Sequence, residues 1–268
     1  MEVFHSIADF TVWRKKLDHG NGGTATSNTI GFVPTMGALH VGHRRLLEES
    51  NKDCAFTVLS IFVNPTQFNQ PEDFAKYPKT LEYDLEIARA EGVDAVFAPT
   101  DSKEMYSDGY RFSVSESEES KILCGAFRPG HFNGVLTVVL KLFQIVRPTI
   151  AFFGEKDFQQ FKLIRDMSSA LFLPVNVHSV ETIREKSGLA LSSRNTRLSE
   201  GDRIKASALF KALVSSAPLD QFKPELTSAG FQVEYLEEHW GRRFVAAWIG
   251  GVRLIDNVSF ENRKGNAI

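Results

Sequence analysis

Apolar runs and amphipathic segments alternate along the chain up to about residue 180. The run Cys54–Val63 is apolar at almost every position, which is typical of a parallel strand covered on both faces. Between such runs lie longer segments whose apolar residues recur at helical spacing. The alternation predicts an α/β fold with a Rossmann-like, doubly wound parallel sheet. The predicted strands are Thr29–Pro34, Cys54–Val63, Asp94–Ala98, Thr149–Phe153 and Val175–Val180. The predicted helices are residues 6–18, Gly42–Asp53, Leu81–Glu91, Phe132–Val146 and Phe158–Leu171.

The pattern changes after about residue 181, where one helix is followed by three short strands joined by glycine-bearing turns. The helix is Leu198–Ser216, and the strands are Phe231–Leu236, Phe244–Ile249 and Arg253–Val258. We therefore predict a large domain over residues 1–181 and a smaller C-terminal α+β domain, built on an antiparallel sheet, over residues 182–268. The glycine-rich segment Gly20–Asn28 is predicted to be a loop, and it lacks the Gly-Lys-Ser/Thr ending of a phosphate loop.

Composition narrows the class of protein. Of the 268 residues, 43% are hydrophobic and 24% are charged, and the formal net charge is -2, so no general basic field or polybasic run favours nucleic acid or an anionic membrane. No apolar run approaches the ~20 residues that span a bilayer, and the N-terminus lacks a secretory signal. The two cysteines, Cys54 and Cys124, fit reduced thiols better than a disulfide framework. We expect a cytoplasmic protein.

The candidate chemistry starts at Pro34–His43, which follows a predicted strand and opens a predicted helix. A helix N-terminus at the carboxyl end of a parallel strand offers free N–H groups and a partial positive charge, which suits phosphate. Gly37 and Gly42 would let a nucleotide approach the backbone, and His40 and His43 can face one side. Spacing alone leaves two alternatives open, a zinc site and a pair of core histidines.

Pro34–His43 resembles the nucleotide-binding signature shared by class I aminoacyl-tRNA synthetases and cytidylyltransferases. Within that superfamily the chain resembles the pantoate–β-alanine ligase family, over residues 30 to about 200. Further blocks that carry the resemblance follow in order: Phe62–Phe68, Tyr77–Thr80 with Asp84, Arg128–Val135, Phe153–Gln160, and Arg184 with Gly188–Asn195.

The resemblance implies site residues. The catalytic set is implied to be His40, His43, Lys156, Ser192, Ser193 and Arg194. The ATP-binding set is implied to be Met36, Gly37, Ala38, Leu39, His40, Val41, Gly42, His43, Gly154, Glu155, Lys156, Asp157, Ile183, Leu191, Ser192, Ser193 and Arg194. Gln67 and Gln160 are implied to bind the acid, with Asn64 and Arg128 as helpers, and Asp84 to be a ligand of Mg²⁺.

The resemblance implies a two-step reaction with pantoate, β-alanine and ATP as substrates, Mg²⁺ as cofactor, and a homodimer as the assembly. Pantoate would attack the α-phosphate of ATP, and the amine of β-alanine would then attack the resulting adenylate, releasing AMP. A carboxylate is already ionised at neutral pH, so the first step needs alignment and phosphate-neutralising groups more than a base. Two alternatives remain: a cytidylyl- or adenylyltransferase acting on a phosphorylated substrate, and a non-catalytic nucleotide-binding protein.

Overall fold

The computed structural model describes residues 1–19, 28–69 and 71–263, so most of the predicted glycine-rich loop lies outside the described residues. Six parallel strands form the main sheet in the order β1-β4-β3-β2-β5-β6. They are β1 Glu2–Phe4, β2 Ile30–Thr35, β3 Phe56–Ile61, β4 Ala95–Phe97, β5 Ile150–Gly154 and β6 Asn176–Val180. The doubly wound parallel sheet is thus confirmed, and all five predicted strands belong to it. The sequence pattern missed the short edge strand β1.

Eleven α-helices connect and flank the strands in the described residues. They are α1 Ile7–His19, α2 Val41–Asp53, α3 Pro71–Ala75, α4 Leu81–Ala90, α5 Ser102–Met105, α6 Cys124–Phe127, α7 His131–Val146, α8 Phe158–Ala170, α9 Glu200–Val214, α10 Leu219–Ser228 and α11 Phe260–Arg263. The sequence pattern also missed α10, which contains Pro224. Within the described part of the chain, no helix is long and apolar enough to cross a membrane.

Each central strand of the main sheet sends alternate side chains to opposite faces. Along β2, Phe32 packs in the apolar cluster that includes α1 and α7, whereas Val33 packs in the cluster that includes α2 and α4. Val58 and Leu59 divide in the same way along β3. Because both faces are covered, these four side chains are fully buried and the strands read as continuous apolar runs.

The sheet reverses its strand order at β2, which pairs with β3 on one side and with β5 on the other. The connections that leave β2 and β5 therefore diverge and open a crevice at the carboxyl ends of these strands, where open α/β sheets bind ligands. The Pro34–His43 segment leaves β2 at this crevice.

The C-terminal sheet is antiparallel, as predicted, with the order β7-β8-β9. Its strands are β7 Gln232–His239, β8 Arg242–Ile249 and β9 Val252–Ser259. Tyr235, Phe244 and Ala246 join the main apolar cluster from one face of this sheet. The other face packs in a separate cluster with α9 and α10. The C-terminal sheet therefore packs against the helices of the main domain through a buried apolar contact. The domain boundary at residue 181 stays a prediction.

Candidate active site

A buried carboxylate holds the turn that follows β2. Gly37 and Ala38 both have positive φ angles, of 80° and 53°, so the backbone turns sharply before α2. Asp84 of α4, which is fully buried, accepts hydrogen bonds from the N–H groups of Ala38 (3.0 Å) and Leu39 (2.8 Å) and from the Thr80 hydroxyl (3.1 Å). Both carboxylate oxygens therefore bind groups of the protein, and this side chain clamps the turn. The role of Asp84 as a ligand of Mg²⁺ stays a prediction.

The two histidines cap the N-terminus of α2. The Nδ1 atom of His40 accepts from the N–H of Gly42 at 3.1 Å, and the Nδ1 atom of His43 accepts from the N–H of His40 at 3.3 Å. The two rings lie 4.1 Å apart between centroids and both line the crevice. Since each Nδ1 accepts, each neutral ring carries its proton on Nε2 and can donate from there.

The protonation of this pair is set by its surroundings. Burial lowers the pKa of His40 to about 4, with a further contribution from Lys156. Burial lowers the pKa of His43 to about 3, and His40 adds to the effect. Both histidines are therefore neutral at neutral pH and act as N–H donors without a positive charge.

The crevice is a cavity of about 250 Å³. It brings together most of the residues that the resemblance implies, namely Met36, His40, Gly42, His43, Asn64, Gln67, Arg128, Gly154, Lys156, Asp157, Gln160, Ile183, Leu191, Ser192, Ser193 and Arg194. Gly37, Ala38, Leu39, Val41 and Glu155 do not line it. The Glu155 side chain is instead bound by Arg242 at 2.8 Å.

Gln67 is oriented by its neighbour Asn64. The Nδ2 group of Asn64 donates to Gln67 Oε1 at 3.0 Å and to the Gly134 carbonyl at 3.2 Å. Its Oδ1 atom accepts from the hydroxyls of Tyr106 (2.6 Å) and Thr66 (3.0 Å). Asn64 is 1% exposed and its hydrogen-bonding capacity is used within the protein. These contacts make Asn64 a residue that fixes the amide of Gln67, and its part in binding the acid stays a prediction.

Arg128 is held against the same loop by a histidine. Its guanidinium donates to the Gln67 carbonyl at 3.2 Å and to His131 Nε2 at 3.0 Å, while His131 Nδ1 donates to the same carbonyl at 2.8 Å. Burial lowers the pKa of His131 to about 3, with Arg128 adding to the effect, so the ring is neutral and can accept from the arginine. This triangle places a cation beside Gln67.

Two further segments bring cations and hydroxyls to the cavity. The lysine segment, Gly154–Asp157, leaves the end of β5, and the serine loop, Ser192–Arg194, opens a 3₁₀ turn whose cap is the Ser192 hydroxyl. Burial opposes ionisation of Asp157, but Lys156 and Arg194 outweigh it and lower the pKa of this carboxyl. Arg194 also contacts Asp73 at 3.4 Å.

The cavity thus combines neutral N–H donors, hydroxyls and fixed cations. The histidine nitrogens that could serve as bases already accept hydrogen bonds, from the backbone in His40 and His43 and from Arg128 in His131. Such a set suits the phosphates of a nucleotide better than it suits proton abstraction. A sequence model of the family described as pantoate–β-alanine ligase matches residues 2–259. The chain belongs to this family.

Relatives and solved structures agree with this membership. The chain is 51% identical to the pantothenate synthetase of Bdellovibrio bacteriovorus, with 96% of this chain and 98% of the relative covered. It is 46% identical to that of Legionella pneumophila strain Lens, with 96% and 99% covered. A crystal structure of the Francisella tularensis pantoate–β-alanine ligase, complexed with β-γ ATP and β-alanine, superposes with a TM-score of 0.89 at 39% identity, covering 97% of this chain and 98% of that one.

The sequence analysis assigned no role at the site to several residues that line the cavity. Phe62, Val135, Val138, Val139 and Leu142 form an apolar wall that the sequence could not separate from ordinary core. Thr182 also lines the cavity, and its buried hydroxyl has no hydrogen-bond partner among the described residues. A buried hydroxyl of this kind is a group that a bound ligand would satisfy.

Proposed function

We propose that this protein condenses pantoate with β-alanine to form pantothenate, using ATP and releasing AMP and pyrophosphate. The observation that carries the proposal is the hydrogen bonding of the histidine pair at the N-terminus of α2. His40 and His43 each present an Nε2–H donor and keep Nδ1 bonded to the backbone. The pair is therefore suited to stabilising phosphate charge, and an ionised carboxylate nucleophile needs no base.

In the first step, a carboxylate oxygen of pantoate attacks the α-phosphorus of ATP. A new P–O bond forms, the bond to the β-phosphate breaks, and pyrophosphate leaves. His40, His43, Lys156 and the serine loop supply the donors and cations for the phosphates, which is where charge develops. Gln67 and Gln160 hold the acid by neutral amide hydrogen bonds, with Arg128 nearby.

Magnesium, when bound, would supply charge neutralisation for the phosphates. The described part of the chain has no cluster of three or more histidine, cysteine, aspartate or glutamate side chains that could hold a metal. Asp157 lies beside Lys156 in the cavity, and its carboxylate would hold the ion next to the phosphates.

In the second step, the neutral amine of β-alanine attacks the acyl carbon of pantoyl adenylate. The C–N bond forms, the C–O bond to AMP breaks, and one proton leaves the amine. His40 and His43 do not take up this proton, since each ring accepts from the backbone at Nδ1 and already carries its proton on Nε2. The reactivity of the adenylate supports this step, since AMP is a good leaving group.

An isotope experiment tests the intermediate. Pantoate labelled with ¹⁸O in its carboxylate should pass one ¹⁸O atom to AMP, because the attacking oxygen stays on phosphorus when the amide forms. Without β-alanine, pantoate should still drive exchange of labelled pyrophosphate into ATP. Formation of ADP and phosphate, or unlabelled AMP, would contradict the adenylate route. Exchange driven only by a phosphorylated acceptor would favour the nucleotidyltransferase alternative.

We also propose, from the family resemblance, that the protein acts as a homodimer in the cytoplasm. Light scattering coupled to size-exclusion chromatography tests the assembly, and a mass near 30.0 kDa, that of one chain, would contradict it.

A further inference from the structure

Strand β9 reaches back to the lysine segment through one buried amide. Asn257 of β9 is 2% exposed. Its Nδ2 group donates to the carbonyl of Glu155 at 2.8 Å and to the carbonyl of Lys156 at 3.0 Å. Both amide protons are thus spent on the backbone that carries Lys156. The backbone of the lysine segment is therefore fixed by a residue that lies about 100 positions away in the chain.

The orientation of this amide is fixed in turn by Arg242 of β8. Arg242 donates from Nε to Asn257 Oδ1 at 2.6 Å and from Nη2 to the Glu155 carboxylate at 2.8 Å. Its guanidinium also lies 4.2 Å from the ring centroid of Phe158, at the start of α8. Since Oδ1 of Asn257 accepts from the arginine, the Nδ2 group must face the two carbonyls.

The adjacent residue of β9 holds the polypeptide that leads into the serine loop. Asp256, which is 5% exposed, accepts from both terminal nitrogens of Arg184, at 2.5 and 2.9 Å. Arg184 also donates to the Gly188 carbonyl at 3.0 Å and forms an isolated antiparallel bridge with Ala190. The hairpin closed by this bridge ends two residues before Ser192.

We propose that Asp256 and Asn257, with Arg242, are positioning residues that set the separation between the lysine segment and the serine loop. Neighbouring residues of a strand point to opposite faces, so one dipeptide can hold two segments on its two sides at a fixed spacing. Lys156 and Arg194 would then meet the same triphosphate in the geometry that the first step needs. This inference rests on the proposed role of both segments in binding phosphate.

The energetic reason is that phosphoryl-group transfer depends on alignment. A displacement of a catalytic group by about 1 Å can cost about 10²-fold in rate. Removing the Asn257 amide frees two backbone carbonyls of the lysine segment, and removing the Asp256 charge frees Arg184. Neither change touches the glutamines proposed to bind pantoate.

The test is Asn257→Ala, read by calorimetric binding of ATP and by pantoate-driven pyrophosphate exchange. We expect ATP affinity to fall about 10-fold and the exchange rate constant to fall about 10- to 100-fold, with the KM for pantoate within about 2-fold of the wild type. The matched control is Val252→Ala, which truncates a buried residue of the same strand in the C-terminal apolar cluster. It should lower the melting temperature without changing ATP affinity or exchange.

The outcomes separate the positioning role from a merely structural one. If Asn257→Ala lowers the melting temperature as Val252→Ala does but leaves ATP affinity and exchange unchanged, the inference is overturned. If Asn257→Ala does not fold, the near-isosteric Asp256→Asn takes its place with the same expected loss and the same overturning result. If the wild type binds ATP but shows no pantoate-driven exchange, the proposed function fails. The ratio of the ATP affinities of the wild type and of Asn257→Ala still decides whether Asn257 has the positioning role.

Discussion

Substituting Asp84 with Asn should destabilise the protein by about 2–4 kcal/mol and leave its dependence on Mg²⁺ nearly unchanged. The new amide keeps the shape of the carboxylate, so the oxygen can still accept from the N–H of Leu39. The amide nitrogen would, however, face the N–H of Ala38, which lies 3.0 Å from the present oxygen. Two donors would then oppose each other in a site that excludes water.

The magnitude follows from these contacts. A hydrogen bond to a charged group contributes about 1.5–3 kcal/mol, and a buried N–H left unpaired costs about 1–3 kcal/mol. Removing a fully buried charge offsets part of this loss, because its desolvation no longer opposes folding. The Thr80 hydroxyl can rotate and accept from the new amide, so that contact survives. A net loss of about 2–4 kcal/mol is large beside a typical stability of about 5–15 kcal/mol, yet it leaves a folded protein.

The assay pairs urea denaturation with a Mg²⁺ titration of pantoate-driven pyrophosphate exchange. The matched control is Glu82→Gln, which removes an exposed carboxylate from the same first turn of α4 and should change stability by less than about 0.5 kcal/mol. The opposite result for Asp84→Asn would refute the reasoning: unchanged stability, with about 10-fold more Mg²⁺ needed for half-maximal exchange, would make Asp84 a metal ligand.

Three other predictions test the cavity. His43→Ala should keep the fold and lower turnover by about 10²-fold, measured by AMP formation, and full activity would remove His43 from the mechanism. Gly134→Ala would place a Cβ atom 2.4 Å from the Thr66 carbonyl oxygen and so displace the backbone next to Gln67, which should raise the KM for pantoate. Gly201→Ala, which has open space around its Cβ, should leave this KM unchanged. The pKa values of His40 and His43, lowered from 6.5 to about 4 and about 3, mean that the unfolded chain binds more protons below pH 6.5. Their contribution to stability is complete above pH 6.5 and is lost as the pH falls towards 4, so urea midpoints that stay constant from pH 7 to 4.5 would contradict these shifts.

The parallel sheet was predictable because its central strands β2, β3 and β5 are largely buried and so appear as mainly apolar runs. The strand β1 has three residues and lies at the edge of the sheet, where so short a segment leaves no periodic signal. The helix α10 carries Pro224, which in a sequence indicates a break. Both elements form because tertiary packing outweighs local preference. Leu226, for example, is 2% exposed against the C-terminal cluster.

The position of the histidine pair in the candidate site was predictable for a similar reason. A strand, a glycine-bearing turn and a helix N-terminus follow one another in the chain, so His40 and His43 could be placed from sequence alone. The partners of a polar side chain are different, since they come from distant segments. Arg242 and Asn257 meet Glu155 and Lys156 only through the register of β8 with β9, which no local pattern specifies.

The same argument applies to Asp84 and Asn64, whose partners within the protein the sequence did not show. A sequence shows that a carboxylate or an amide follows a motif, but it does not show whether the backbone already occupies its oxygens and protons. Asp84, Asn64 and Asn257 are each at most 2% exposed, and their polar groups are committed to the protein. Changing such a residue should lower both the stability of the protein and its activity. Replacing a donor that faces the cavity, such as His43, should lower turnover with little change in the free energy of unfolding. Measuring both quantities for each variant therefore separates the residues that hold the site from those that contact its ligands.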